Sequence, residues 1–198
     1  MGEKLNPLLE SAKKQECTVY FVDAVHFVTG SFLGYLWSVA RLFIPGSSGR
    51  KRYNVPGAIN AVTRQLVSVS NDTYINAGSV CELLHKIRNI VGEIIPITLI
   101  MDNARYQRCD PVKNLAEELK IKLLFLPSYS PNLNLIERLW KWVKKDCLNC
   151  KYYECFDEFK NAINQSLMKV SQVEYNKELS RLLTLNFQLF NNVIYNRR

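Results

Sequence analysis

Three acidic side chains interrupt or end apolar stretches of this sequence. Asp23 lies within VYFVDAVHF, Asp102 ends ITLIMD and Glu137 lies within LIERLWKW, with 34 residues between the last two. An unpaired carboxylate in apolar surroundings is costly, so something has to compensate these charges. Carboxylate oxygens are preferred ligands of Mg²⁺, which keeps coordination positions for water and a phosphate substrate. Two such ions together suit a centre that cleaves phosphodiesters.

Each acid taken alone has a commoner structural role. A single Asp at a strand end is more often a turn or cap residue, and Glu137 alone would be half of a solvated helix pair with Lys141. The metal site is therefore a prediction from the three acids together. The alternative metal site is zinc on Cys147, Cys150 and Cys155, for which no nearby His supplies a fourth ligand.

The apolar periodicity predicts the elements that have to position the acids. Period-two and short apolar runs predict strands at 17–28, 53–62, 65–70, 97–101 and 121–126. Three- and four-residue spacing predicts helices after Ser79 as N-cap and at 111–120, 133–147, 154–172 and 174–190. This order predicts an α/β fold, in which three antiparallel strands are followed by parallel strands joined through crossover helices.

Such a sheet places Asp102 at the carboxyl end of a buried strand, where ligands gather in open α/β sheets. Asp23 then has to lie beside that strand end. On the 133–147 helix, Glu137 lies at the border of the apolar stripe, with Lys141 following on the same side. Trp142 lies on another side, where the C-terminal helices cover it or it stacks on a base or a second subunit. We interpret His26 as structural.

Composition and length limit the class of protein. The 198 residues, 47% of them hydrophobic, suit one globular domain with a substantial core. We divide the chain into a linker stub at 1–16, a central α/β domain at 17–150 and a C-terminal helical extension at 151–198. The net charge of +8 favours a polyanionic partner. No apolar run is long enough for a membrane span, so we expect a cytoplasmic location and no membrane partner.

The segments VDAVHF, LIMDNARYQR and LPSYSPNLNLIERLWKWVKK resemble the three catalytic motifs of the DDE transposases, specifically the mariner-type insertion-sequence transposases of bacteria. The resemblance covers about residues 17–150. It implies a ribonuclease H-like fold, with two Mg²⁺ or Mn²⁺ ions held by Asp23, Asp102 and Glu137. It implies that Asn103 shapes the site, and that the protein cuts transposon ends and joins them to double-stranded target DNA at TA sites.

Two residues depart from the family pattern. The family often has an acid after the first Asp, where this chain has Ala24, and a His shortly after the Asp-Asn pair, where it has Gln107. Such transposases usually begin with helix-turn-helix domains, whereas a short stub precedes Cys17 here. We therefore expect end recognition by a separate helix-turn-helix part, assembly as a homodimer, and association with the nucleoid.

Basic residues near these motifs are candidates for contacts with DNA phosphates. They are Arg50, Lys51 and Arg52 in a Gly- and Ser-rich loop, Arg105 and Arg108 after the second acid, and Lys141, Lys144 and Lys145 on the Glu137 helix. An ordinary solvated basic face is the alternative for each. For the whole chain, the alternatives are a structure-selective nuclease of the same fold and a DNA-binding protein that has lost catalysis.

Overall fold

The computed structural model describes residues 2–30, 39–40, 49–127, 133–185 and 187. Its strands are β1 (Thr18–Val28), β2 (Arg52–Asn60), β3 (Leu66–Ser68), β4 (Ile97–Met101) and β5 (Ile121–Phe125). Its helices are α1 (Gly2–Lys13), α2 (Ala77–Val91), α3 (Asp110–Glu118), α4 (Leu135–Leu148), α5 (Phe156–Lys169) and α6 (Asn176–Leu182). None of these helices is both long and apolar enough to cross a membrane.

The five strands form one mixed sheet in the order β3-β2-β1-β4-β5. The β1–β2 and β2–β3 pairs are antiparallel, and the β1–β4 and β4–β5 pairs are parallel. This confirms the predicted sheet. Because β4 and β5 are parallel, their carboxyl ends lie at the same edge of the sheet. A helix makes the crossover connection between them.

Helices cover both faces of the sheet. The alternation of β1 sends Phe21 and Val25 into a core shared with α1, α4, α5 and α6, and sends Tyr20 and Val22 into a core shared with α2 and α3. We call these the α4 face and the α2 face. Asp23, an odd-numbered neighbour of Phe21 and Val25, lies on the α4 face.

The N-terminal segment differs from the predicted stub without a core. Residues Leu5, Leu9 and Ala12 of α1 are buried in the α4-face core. Their four- and three-residue spacing is the helical signal, which the polar residues between them conceal.

Two other boundaries also differ. The N-cap of α2 is Asn76, whose side chain accepts from the Ser79 N–H at 3.1 Å, so Ser79 lies inside the helix. The last described helix ends at Leu182. Residues 186 and 188–190 of the predicted 174–190 helix lie outside the described residues, as do residues 128–132 of the third motif.

Candidate metal-binding active site

Asp23 and Asp102 lie side by side because of the parallel pairing of β1 with β4. The register opposes Val22 to Met101, so the next residue on each strand is an acid. Ile100 belongs to the α4-face core, and Asp102 follows it by two residues, so both carboxylates are on the α4 face. Asp23 therefore lies beside the end of β4, as the sequence predicted.

Glu137 reaches this edge from the first turn of α4. Asn134 precedes the helix as its N-cap, and its side-chain amide donates to the carbonyl of Val22 at 3.3 Å. The hydrogen bond fastens the start of α4 to β1 one residue before Asp23. Asn134 is buried, so its bond is shielded from water.

Asn103 fixes the segment that follows Asp102. Its side-chain amide donates to the carbonyl of Leu126 at 2.6 Å, which ties the end of β4 to the end of β5. The Ala104 backbone N–H donates to Asp102 Oδ1 at 3.4 Å. Asn103 thus holds the backbone that follows the second acid, and its role in shaping the site stays a prediction.

The pKa values of Asp23 and Glu137 are both raised above those of free carboxyl groups. Burial and the charges of Asp102 and Glu137 together raise the pKa of Asp23 to about 7, against a hydrogen bond from the Ala24 backbone. Burial also raises the pKa of Glu137, which the Lys141 ammonium lowers and the Asp102 charge raises. The carboxylates therefore form one electrostatic unit with too little positive charge.

A pocket of about 290 Å³, which we call the acid pocket, opens beside two of the acids. Its lining includes Asp23, His26, Glu137, Trp140, Lys141 and Lys144. An anionic substrate entering this pocket meets two ammonium groups next to the carboxylates. The pocket is the place where a phosphate can approach the acids.

The donor set fits a hard divalent cation, because it consists of carboxylate oxygens whose mutual repulsion a cation would relieve. Among the described residues, no three His, Cys, Asp or Glu side chains converge closely enough to hold an ion as they stand. The chemistry of these side chains fits a divalent cation.

The profile of the DDE superfamily endonucleases matches residues 18–160, which include all three acids. The chain belongs to this family. It is 27% identical over 131 residues to a protein of Shigella sonnei described as "Insertion element IS630 uncharacterized 39 kDa protein". The match covers 64% of this chain and 37% of that protein, so the chain spans little more than a third of the length of this relative.

Solved transposase and intasome structures share the fold. A Mos1 mariner paired-end complex with Mn superposes with a TM-score of 0.58 at 14% identity, covering 89% of this chain and 56% of that one. The catalytic domain of Mos1 mariner transposase gives 0.55 at 13%, covering 89% and 83%. A simian T-cell lymphotropic virus intasome gives 0.56 at 14%, covering 78% and 48%. The predicted ribonuclease H-like fold is confirmed.

His26 lines the acid pocket, which the sequence interpretation as a structural residue did not foresee. The Asn54 side chain donates through Nδ2 to the Thr73 carbonyl at 2.9 Å, so its Oδ1 accepts from His26 Nδ1 at 2.7 Å. A neutral His26 ring therefore carries its hydrogen on Nδ1 and has Nε2 free to accept. The contact between His26 and Asn54 depends on the β1–β2 register, for which the sequence holds no local signal.

The two departures from the DDE pattern have clear structural positions. Ala24 lines the acid pocket, so no additional carboxylate enters it at this position. Gln107 is 1% exposed, and its side chain interacts with the hydroxyl of Tyr106. Burial and the charges of Asp102 and Asp23 raise the pKa of Tyr106 to about 12, so this phenol stays protonated near the acids. Sequence reasoning missed Tyr106.

The predicted DNA contacts fall into separate places. Lys141 and Lys144 line the acid pocket. The basic loop lines a second pocket of about 820 Å³ with Asp72, Thr73, Tyr74 and Phe156, where the Lys51 ammonium lies 5.5 Å from the centre of the Phe156 ring. Arg50 and Arg52 line the same pocket. Arg105 and Arg108 are exposed and line neither pocket.

A basic groove between α4 and α6 begins at Lys141, which also lines the acid pocket. We call it the α4–α6 groove; it has a volume of about 900 Å³. Two carboxylates, Glu174 and Glu178, line the groove. The five basic residues that line it are Arg138, Lys141, Lys145, Lys177 and Arg181. The periodicity of 174–190 did not reveal Lys177 and Arg181 as neighbours of α4, because that contact is tertiary.

Trp142 is 7% exposed and packs edge-on against Tyr175 with 5.8 Å between ring centres. Cover by the C-terminal helical region was therefore the right alternative for this residue. The zinc alternative has no support in the described residues, where no cluster of ligands includes the three cysteines. Cys147 is buried, and burial raises the pKa of its thiol to about 12, so it does not offer a thiolate.

Proposed function

We propose that this chain is the catalytic part of a DNA transposase, which hydrolyses phosphodiesters at transposon ends and transfers the freed strand into target DNA. The observation that carries the proposal is the placement of Asp23, Asp102 and Glu137 on three separate elements at one edge of the sheet. Membership of the DDE superfamily endonucleases supports it.

The three acids would together hold two Mg²⁺ or Mn²⁺ ions. Bound ions of this kind activate an attacking water or sugar hydroxyl and stabilise the leaving oxygen. The solved Mos1 paired-end complex contains Mn, which supports a divalent cation here. Asn103 and Asn134 contribute by fixing the backbone beside two of the ligands, so that the carboxylates are oriented before the substrate binds.

Lys141 and Lys144 neutralise the phosphates that flank the scissile bond, because both line the acid pocket. Lys141 also begins the α4–α6 groove, so a DNA strand that leaves the pocket can continue past Lys177 and Arg181. Arg50, Lys51 and Arg52 supply a separate basic surface in the second pocket. Contacts of this kind give affinity for duplex DNA of any sequence.

Recognition of specific ends and pairing of two ends belong to the same proposal. We propose that a helix-turn-helix part outside this chain recognises the ends, and that two copies of the catalytic part assemble on them. The Mos1 mariner paired-end complex, which shares the fold, supports assembly on paired ends.

The test is nicking of supercoiled plasmid by the purified chain in the presence of Mn²⁺ or Mg²⁺. We expect the parent to nick, Asp102→Ala to lose the activity by at least roughly a hundredfold, and Asp110→Ala, which removes an exposed acid at the start of α3, to retain it. Equal nicking by the parent and Asp102→Ala would contradict the proposal. Incubation with precut transposon ends then separates a transposase, which joins strands, from a nuclease, which only cuts.

A further inference from the structure

The inference concerns Trp140, which lies one helical turn after Glu137 and lines the acid pocket with Asp23. Trp140 is 4% exposed. Among the described residues its indole nitrogen is buried without a partner at hydrogen-bonding distance. A buried donor without an acceptor is costly, and few such groups persist in folded proteins without a reason.

Gly57 gives the Trp140 ring its position. Gly57 is paired with Asp23 across the antiparallel β1–β2 ladder, so the two residues face the same side of the sheet. A Cβ atom on Gly57 would lie 2.7 Å from Cη2 and 2.9 Å from Cζ2 of Trp140. The indole therefore occupies the space that a side chain at residue 57 would fill.

The ring edge that lies nearest Gly57 is formed by Cη2 and Cζ2. Cζ2 is bonded to the ring carbon that bears Nε1, so this edge and the N–H belong to the same side of the indole. The indole is close enough to Asp23 to lower the pKa of its carboxyl, although its N–H has no partner within hydrogen-bonding geometry. The Asp23 carboxylate is thus an acidic acceptor beside an unpaired donor.

We propose that Trp140 is a positioning residue, whose indole N–H donates to the outer oxygen of the Asp23 carboxylate when the metal site is loaded, and that Gly57 is the residue that admits the ring. The inference rests on the proposed metal site. A hydrogen bond to the outer oxygen orients the inner oxygen, as partners behind metal ligands commonly do. It also satisfies the buried donor.

The chain allows a direct spectroscopic test, because it has three tryptophans and hence three indole N–H signals in a ¹⁵N-labelled sample. Trp140→Phe and Trp142→Phe assign the signals. On titration of the parent with Mg²⁺, we expect the Trp140 indole proton to move downfield as it gains an acceptor. The Trp142 signal should stay in place, since that ring packs against Tyr175.

Mn²⁺ affinity provides the second measurement. We expect Trp140→Phe, which keeps an aromatic side chain but removes the indole N–H, to weaken Mn²⁺ binding roughly tenfold. Trp142→Phe is the matched control and should bind as the parent does. Gly57→Ala should displace the indole and reproduce the weakening, with the folded state checked by the dispersion of the amide signals.

The outcomes separate this inference from the proposed function. If Mg²⁺ moves the backbone amides of Asp23 and Asp102 but leaves the Trp140 indole in place, the positioning role is wrong and the metal site stands. If no signal moves and the parent does not bind Mn²⁺, both proposals are wrong. Binding by Trp140→Phe with the parent's affinity would also overturn the positioning role.

Discussion

Asp23 shows how a single residue can be unfavourable for folding and favourable for binding. It is placed inside β1, where burial and two neighbouring carboxylates disfavour its charge. Folding alone would favour an apolar residue at this position. A divalent cation reverses the balance, because it binds the charged form.

The pH dependence of stability follows from this residue. The folded-state pKa of Asp23 is about 7, against an ordinary 3.8, so between these values the folded protein holds a proton that the unfolded chain has released. Stability of the metal-free protein should therefore be highest in the lower part of this window and fall as pH rises through about 7. One pKa unit corresponds to about 1.4 kcal/mol.

Thermal unfolding measures this effect at about pH 5.5 and about pH 8 without metal. We expect a lower melting temperature at the higher pH, and a smaller difference in Asp23→Asn. Mg²⁺ added at the higher pH should raise the melting temperature of the parent more than that of Asp23→Asn. A parent and an Asp23→Asn variant with the same pH dependence would show that Asp23 titrates normally.

At the scale of elements, the side chains of two asparagines hold together the strand and helix ends that carry the acids, and we call this arrangement the frame. Asn134 ties α4 to β1, and Asn103 ties β4 to β5. Both bonds join elements that are distant in the chain. The frame explains how three flexible carboxylates can occupy one edge of the sheet without an ion.

Asn103→Ala should loosen this frame. Loss of the bond to the Leu126 carbonyl is expected to lower the free energy of unfolding by about 1 kcal/mol and to weaken Mn²⁺ binding, because the backbone after Asp102 gains freedom. Denaturant unfolding and Mn²⁺ titration measure the two effects. Asn114→Ala, at an exposed position of α3, is the control. A change in stability with unaltered metal affinity would limit Asn103 to a structural role.

At the scale of the whole molecule, the basic residues beside the acids continue into a second basic surface. Lys141 connects the acid pocket with the α4–α6 groove, which lies between α4 and the C-terminal region. The proposed C-terminal extension at 151–198 would therefore serve DNA binding as well as covering Trp142. The proposed boundary at residue 150 would then separate the part that carries the three acids from a part that contributes to DNA binding.

Charge reversal in the groove tests the path of the DNA. We expect Lys177→Glu with Arg181→Glu to weaken duplex binding and to reduce the slope of log affinity against log salt by about 0.9 for each lost phosphate contact. Lys113→Glu with Lys122→Glu makes the same charge change at exposed positions of α3 and β5. If the two double variants have the same slope, the groove does not carry DNA.

The sequence predicted those parts of the molecule that depend on local patterns. Asp102 at the end of an apolar run and Glu137 beside a helical stripe were found from period and spacing alone. The contacts of His26 with Asn54 and of Trp140 with Gly57 depend on strand register and on helix placement, which no local pattern contains. Leu5 and Leu9 did carry a helical signal, but their burial depends on a core supplied by distant elements.

Mn²⁺ titration of the parent and of three single variants, Asp23→Asn, Asp102→Asn and Glu137→Gln, is the most direct test of the central claim that these acids form one metal centre. We expect the parent to bind, each of the three substitutions to weaken binding by roughly tenfold or more, and Asp110→Asn to have no effect. Binding that persists unchanged in any one of the three variants would remove that acid from the centre, and a folded parent that binds no Mn²⁺ would contradict the account.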